Sequence, residues 1–191
     1  MKYCKSCLST DLRPGAVFKD GVCLPCRYSN SNDDVSSRAK LKILREKFKN
    51  SRKKQKDKGS YDCIVGVSGG KDSTRQAHWV RDRLGLRPLV VCSGYTPKQM
   101  SDIGAHNLSN LFSMGFDVII ATPAPKTAAH LALQSFIKFG NVCKSTEMSL
   151  YSTVPRLAID LGINTLFWGE NNALQVGESA LEGVDEFDGN N

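Results

Sequence analysis

The sequence predicts an α/β protein: an open, parallel, doubly wound sheet carrying a small zinc-ribbon module at its N-terminus. Three observations predict it. From residue 61 onward, short apolar runs alternate with stretches of helical periodicity, the pattern of βα units in a parallel sheet. The first of those runs, Tyr61 to Val67, leads straight into Ser68-Gly69-Gly70-Lys71-Asp72-Ser73, which reads as strand, tight loop and helix start. Upstream, Cys4-Lys5-Ser6-Cys7 and Cys23-Leu24-Pro25-Cys26 form two CxxC pairs with fifteen residues between them.

The organisation predicted is a zinc-ribbon module over 1–30, a basic helical linker over 31–60 and a sheet domain over 61–191. Seven cysteines with no secretion-signal pattern point to metal or reactive thiols rather than disulfides. In the first module each CxxC pair makes a knuckle, and Cys4, Cys7, Cys23 and Cys26 together supply four thiolates for a tetrahedral zinc ion. An iron–sulfur cluster or four incidental cysteines are the alternatives. Gly15 and Gly21 suit a short hairpin between the pairs, and so small a module needs its metal to fold. Four thiolates leave no open coordination position, so the zinc is expected to be structural.

Tyr28 to Asp33 reads as a short linker. Asp34 or Ser36 can then cap a helix with apolar Leu41, Leu44 and Phe48 at helical spacing. The net charge of +7 is concentrated here: residues 1–60 hold 16 Lys and Arg against six Asp and Glu, whereas residues 61–191 hold ten against 13. A run this basic can meet RNA phosphates. With no interleaved aromatics for base stacking, the sequence alone favours a solvated helix face.

In the sheet domain, strand 1 is expected to end at Val67 and its helix to run from Lys71 to about Leu84. Strand 2 is Pro88 to Cys92, followed by a helix from about Gln99 to Met114 with apolar Ile103, Leu108, Leu111 and Phe112. Strand 3 is Phe116 to Ala121, where Val118-Ile119-Ile120 is continuous enough to be buried on both faces. Pro123 and Pro125 open a helix carrying Leu131, Leu133, Phe136 and Ile137 that stops near Gly140. A last helix, about Thr146 to Leu161, leads through Gly162 to strand 4, Asn164 to Trp168.

The glycine loop carries the chemistry. Backbone N–H groups at a helix N-terminus are unpaired and partly positive, and glycines let an anion approach them. The Val67 to Ser73 segment is thus a candidate phosphate site, with Lys71 adding a full charge and the Ser68 and Ser73 hydroxyls adding donors. A Walker A loop would need Gly in place of Val65 and Ser or Thr in place of Asp72, and the GxGxxG spacing is absent. In doubly wound sheets ligands lie beyond the C-terminal strand ends, so one cleft is expected over Ser68, Ser93-Gly94 and Gly169-Glu170. Gly94 and Gly169 permit close backbone approach. Glu170 offers a carboxylate to magnesium or substrate, with a helix cap as its plainer role.

Ser68 to Ser73 after a strand resembles the pyrophosphate loop of the ATP pyrophosphatase superfamily, whose fold is adenine nucleotide alpha-hydrolase-like. The early CxxC pair, Arg13-Pro14-Gly15, Gly21-Val22-Cys23, Cys26-Arg27, Tyr61-Asp62-Cys63-Ile64-Val65 and Trp168-Gly169-Glu170-Asn171 extend the likeness over nearly the whole chain. Together they resemble the N-acetyl sugar amidotransferase family of surface-polysaccharide and flagellin-glycan biosynthesis. The resemblance implies ATP and magnesium as cofactors, with Val67 to Ser73, Ser93, Gly94 and Gly169 at the nucleotide, Asp72 at magnesium, and Lys71, Asp72, Ser73 and Glu170 catalytic. It implies a nucleotide-linked N-acetyl sugar as substrate and ammonia from a separate glutaminase subunit, since nothing in this chain looks like a glutaminase nucleophile with its own base.

Two departures stand out: a single Cys143 where the family carries a second cysteine pair, and Asn172 where it continues with proline. The family's chains are also longer, so a fifth strand and C-terminal helices are expected to be missing here. A rival reading is a tRNA thiolase, in which the basic helix holds RNA and Cys143 carries sulfur. A non-catalytic nucleotide-binding subunit is a third. With neither a signal peptide nor a membrane-length apolar run, a cytoplasmic protein without membrane insertion is expected.

Overall fold

The computed structural model describes residues 1–12, 16–31, 34–54 and 61–169. These fall into two compact units, one reaching Lys49 and the other beginning at Asn50 and ending at Gly169. Among the described residues, no helix is long and apolar enough to cross a membrane.

In the first unit, β1 (Phe18–Lys19) and β2 (Val22–Cys23) form a hairpin with Phe18 opposite Cys23. Its two-residue turn, Asp20-Gly21, has positive φ at both positions, 55° and 79°, the twist that matches a right-handed ribbon. Gly21 is thus used as the sequence suggests, while Gly15 lies outside the described residues. Helix α1 (Leu24–Ser31) follows directly, so a helix occupies much of the expected linker. Pro25 in its first turn brings a φ already set for helix. Helix α2 (Asp34–Lys54) turns Leu41 and Leu44 half inward and buries Phe48.

The second unit is built on four parallel strands: β3 (Cys63–Gly66), β4 (Pro88–Ser93), β5 (Asp117–Ala121) and β6 (Leu166–Phe167), in the order β5-β4-β3-β6. β3 and β4 are central, and their continuous apolar runs are buried throughout, apart from the half-buried Ser93. β5 corrects an expectation. Among the described residues it is an outer strand that pairs with β4 alone, and Ile120 stays 39% exposed rather than buried on both faces.

Helix α3 (Lys71–His78) continues into a π-helical turn, Trp79–Arg83, where the Leu84 N–H reaches back five residues to the Trp79 carbonyl. A 3₁₀ turn, Pro97–Gln99, precedes α4 (Asp102–Ser113), which the Ser101 hydroxyl caps by accepting from the Gly104 N–H. α4 buries Leu108 and Leu111 but leaves Ile103 and Phe112 exposed. Helix α5 (Pro125–Phe139) ends at Gly140 in the left-handed conformation. The apolar Leu131, Leu133, Phe136 and Ile137 that it carries are exposed, and Ser135 is the residue it buries. Helix α6 (Cys143–Leu161) starts three residues early because the Asn141 side chain accepts from the Cys143 N–H. Its Val154 and Ala158 pack on Ile64, Leu89 and Val91, the core of this unit.

Candidate functional site

The run along the sheet reverses at β3: the chain steps outward through β4 to β5, then crosses back to lay β6 on the other side of β3. That reversal brings the loop after β3 beside the end of β6. Gly69, at φ 80°, turns the loop, and a Cβ there would lie 3.1 Å from the Cβ of Asn107 on α4. The Ser68 N–H donates to Ser73 Oγ at 3.3 Å, the Gly70 N–H to Ser68 Oγ at 3.4 Å, and Ser73 Oγ to the Gly70 carbonyl at 3.3 Å. The two hydroxyls expected to face a phosphate therefore also hold the loop's own shape.

Gly70 precedes the first turn of α3, and no side chain caps that turn. Its amides are left for solvent or an anion, and the helix dipole points its positive end the same way. Lys71 Nζ rests 2.7 Å from Asp72 Oδ2, with both side chains exposed, at 88% and 54%. So exposed a pair contributes about 0–1 kcal/mol and is easily exchanged for another anion.

The neighbouring strand ends close on this loop. Gly169 lies against α3's first turn: a Cβ there would sit 2.9 Å from Ser73 Cα. Trp168 lays its ring over Gly66, where a Cβ would meet Cζ3 at 2.8 Å. At the end of β4, a Cβ on Gly94 would come 2.5 Å from Thr122 Oγ1. Ser93 and Gly94 line a cavity of about 110 Å³ together with Thr96, Ser145, Thr146 and Ser149, and among the described residues no charged side chain lines it. The expected residues from Val67 to Ser73 thus stand beside Gly169, and Ser93 and Gly94 end the strand next to β3. Glu170 lies outside the described residues. Asn107, Thr122 and the hydroxyls of α6 were not foreseen, because tertiary packing rather than a local motif brings them here.

Cys4, Cys7, Cys23 and Cys26 form a group that can hold a metal ion, with all four sulfurs within 4.8 Å of one another. Cys7 Sγ and Cys23 Sγ stand 3.7 Å apart, far beyond a disulfide bond. Backbone amides converge on the sulfurs: Cys23 and Ser6 donate to Cys4 Sγ at 3.3 and 3.4 Å, and Ser9 to Cys7 Sγ at 3.5 Å. The Cys23 amide is the chief cause holding the Cys4 thiol down to about 6, and the Ser9 hydroxyl is the chief cause lowering Cys7. Burial raises Cys23, while the bond to Cys7 leads in pushing Cys26 up to about 12. Cys63 and Cys92 are buried in β3 and β4, and burial raises both thiols, as befits inert core residues. Cys143 is exposed at the start of α6.

No family model and no curated protein matches this sequence.

Proposed function

We propose that this chain is an ATP-dependent amidotransferase with an adenine nucleotide alpha-hydrolase-like sheet and a structural zinc ribbon. The observation that carries the reading is the uncapped first turn of α3, set under a glycine loop at the point where strand order reverses. The amides of Lys71, Asp72 and Ser73 and the Lys71 ammonium would hold the triphosphate. Asp72, and Glu170 following Gly169, would hold the accompanying magnesium, which supplies charge neutralisation at the phosphates.

In the reaction, the acetamido oxygen of a nucleotide-linked N-acetyl sugar attacks the α-phosphorus and pyrophosphate leaves. Ammonia from a partner glutaminase then adds to the activated carbon. AMP departs with the former acetamido oxygen and a proton is lost, leaving an acetamidino group. The loop stabilises the departing pyrophosphate by positioned charge alone, so the chain needs no nucleophile of its own. The cysteine group fits zinc: at a Zn–S distance of about 2.3 Å a tetrahedron sets its sulfurs roughly 3.8 Å apart, and Cys7 and Cys23 stand at 3.7 Å. A cytoplasmic setting, where thiols stay reduced, suits that site.

One observation favours a second reading, tRNA thiolation: Cys143 opens the helix whose Ser145, Thr146 and Ser149 line the cavity beside Gly94.

The test of nucleotide binding is Lys71→Ala. Losing charge-assisted contacts worth about 1.5–3 kcal/mol lowers ATP affinity on the order of ten- to hundredfold in titration calorimetry. Equal ATP affinity in the two proteins would overturn the assignment.

A further inference from the structure

Along α2, Arg38, Lys42, Arg45 and Lys49 recur at steps of four, three and four residues, and Arg52 continues the series. Steps of this kind return to one side of a helix. Over Arg38 to Lys49 they set a cation roughly every 5 Å along about 16 Å of axis. All four of these side chains are exposed. The carboxylate between them in sequence is Glu46 alone, and the ion pairs of the described residues lie elsewhere in the chain. The apolar positions Leu41, Leu44 and Phe48 fall on a different side and are half-buried or buried.

We propose that this cationic face of α2 docks the phosphate backbone of a nucleic acid. A row of like charges at helical spacing complements a polyphosphate chain and gains from counterion release. A membrane surface is the weaker fit: a helix lying in lipid needs a free apolar face, and here Leu41, Leu44 and Phe48 are turned inward, leaving Ile43, on another side of the helix, as the strongly exposed apolar side chain among the described residues of α2. The row holds no aromatic residue, so binding reads phosphates and not bases. This inference stands whether or not the α3 loop binds ATP.

The experiment uses the full chain and fluorescent oligouridine and oligoadenine of equal length, with anisotropy read across a salt series. Four phosphate contacts predict a slope near −0.7 per contact on a single strand, so affinity falls about 50-fold between about 50 and about 200 mM salt. Lys42→Gln with Lys49→Gln removes two contacts. It is expected to lower the slope's magnitude by about 1.4 and the affinity about 25-fold near 0.1 M salt. Lys40→Gln with Lys47→Gln removes the same charge at the same spacing from the opposite side of α2 and is expected to change affinity less than about threefold. Equal losses in the two double variants overturn the docking face. So does tight binding to phosphatidylserine vesicles with none to either oligonucleotide, which would assign the face to membranes.

Discussion

Gly70→Ala separates what the fold needs from what a ligand needs. Gly70 has φ −70° and ψ 168°, an extended conformation open to any residue. A Cβ built there meets nothing nearer than Ser68 Oγ at 3.4 Å. The fold therefore tolerates alanine: the reduced freedom of the unfolded chain gains about 0.4–1 kcal/mol, which offsets the poorer N-cap that alanine makes in place of glycine, so Tm is expected to stay within a few degrees of the wild type. The adjacent Gly69 gives the opposite result. Its φ of 80° and the Asn107 Cβ 3.1 Å away make Gly69→Ala strained, at about 1–2 kcal/mol for the left-handed conformation alone. An anion held by the first-turn amides of α3 would pass close to the Gly70 backbone, and a methyl there adds bulk beside its path. If ATP sits there, Gly70→Ala loses ATP affinity on the order of tenfold or more while keeping its thermal stability, because at least one charge-assisted hydrogen bond is lengthened or lost. Calorimetric titration with ATP and a thermal melt read the two effects on the same sample. A Gly70→Ala protein that melts as high as the wild type and binds ATP equally well would refute the placement of the phosphates.

Two further outcomes test the rest of the assignment. Cys23 and Cys26 both lie above the ordinary thiol value of 9.0, so metal binding near pH 8 must expel both protons. Zinc affinity should therefore rise with pH and collapse as pH falls through about 6, where Cys4 also gains a proton. Titrations in buffers of different ionisation enthalpy count the protons, and elemental analysis finding iron or no metal in the purified chain would remove zinc. If the chain is the proposed amidotransferase, Cys143→Ser should keep most ATP-to-AMP turnover with ammonium and a nucleotide-linked N-acetyl sugar, since ammonia is already nucleophilic. AMP release that requires tRNA and disappears in Cys143→Ser would move the assignment to thiolation.

What the sequence could convey was local. The loop after β3 was legible because glycines, a lysine and a preceding apolar run are neighbours along the chain, and the cysteine cluster because CxxC spacing encodes a knuckle directly. The run Val118-Ile119-Ile120 misled because an apolar strand does not state who its neighbours are, and β5 sits at the edge of the described sheet. In α5, Leu133, Phe136 and Ile137 have helical spacing yet stay exposed, since periodicity marks a face without supplying its partner. The early start of α6 was signalled by Asn141, whose side chain accepts from the N–H two residues on and which its position after Gly140 made easy to read as loop.

The part of the site that no local motif conveys is the closing of β6 on the loop. β6 pairs with β3 over two residues only, Leu166 and Phe167 opposite Ile64 and Val65. So short a pairing fixes direction weakly, and the next two residues complete it. Trp168 covers Gly66, with Val154 Cγ2 as the next neighbour of that position, and Gly169 presses on Ser73. Both contacts need a bare Cα on one side: at Gly66 so that the indole can descend onto the strand, at Gly169 so that the chain can reach the α3 turn. A side chain at either position would lift the β6 end away from the loop, because at 2.8–2.9 Å the ring or the backbone must move. How closely the β6 end approaches the loop after β3 is thus set by two glycines about a hundred residues apart in sequence, brought together by the reversal of strand order.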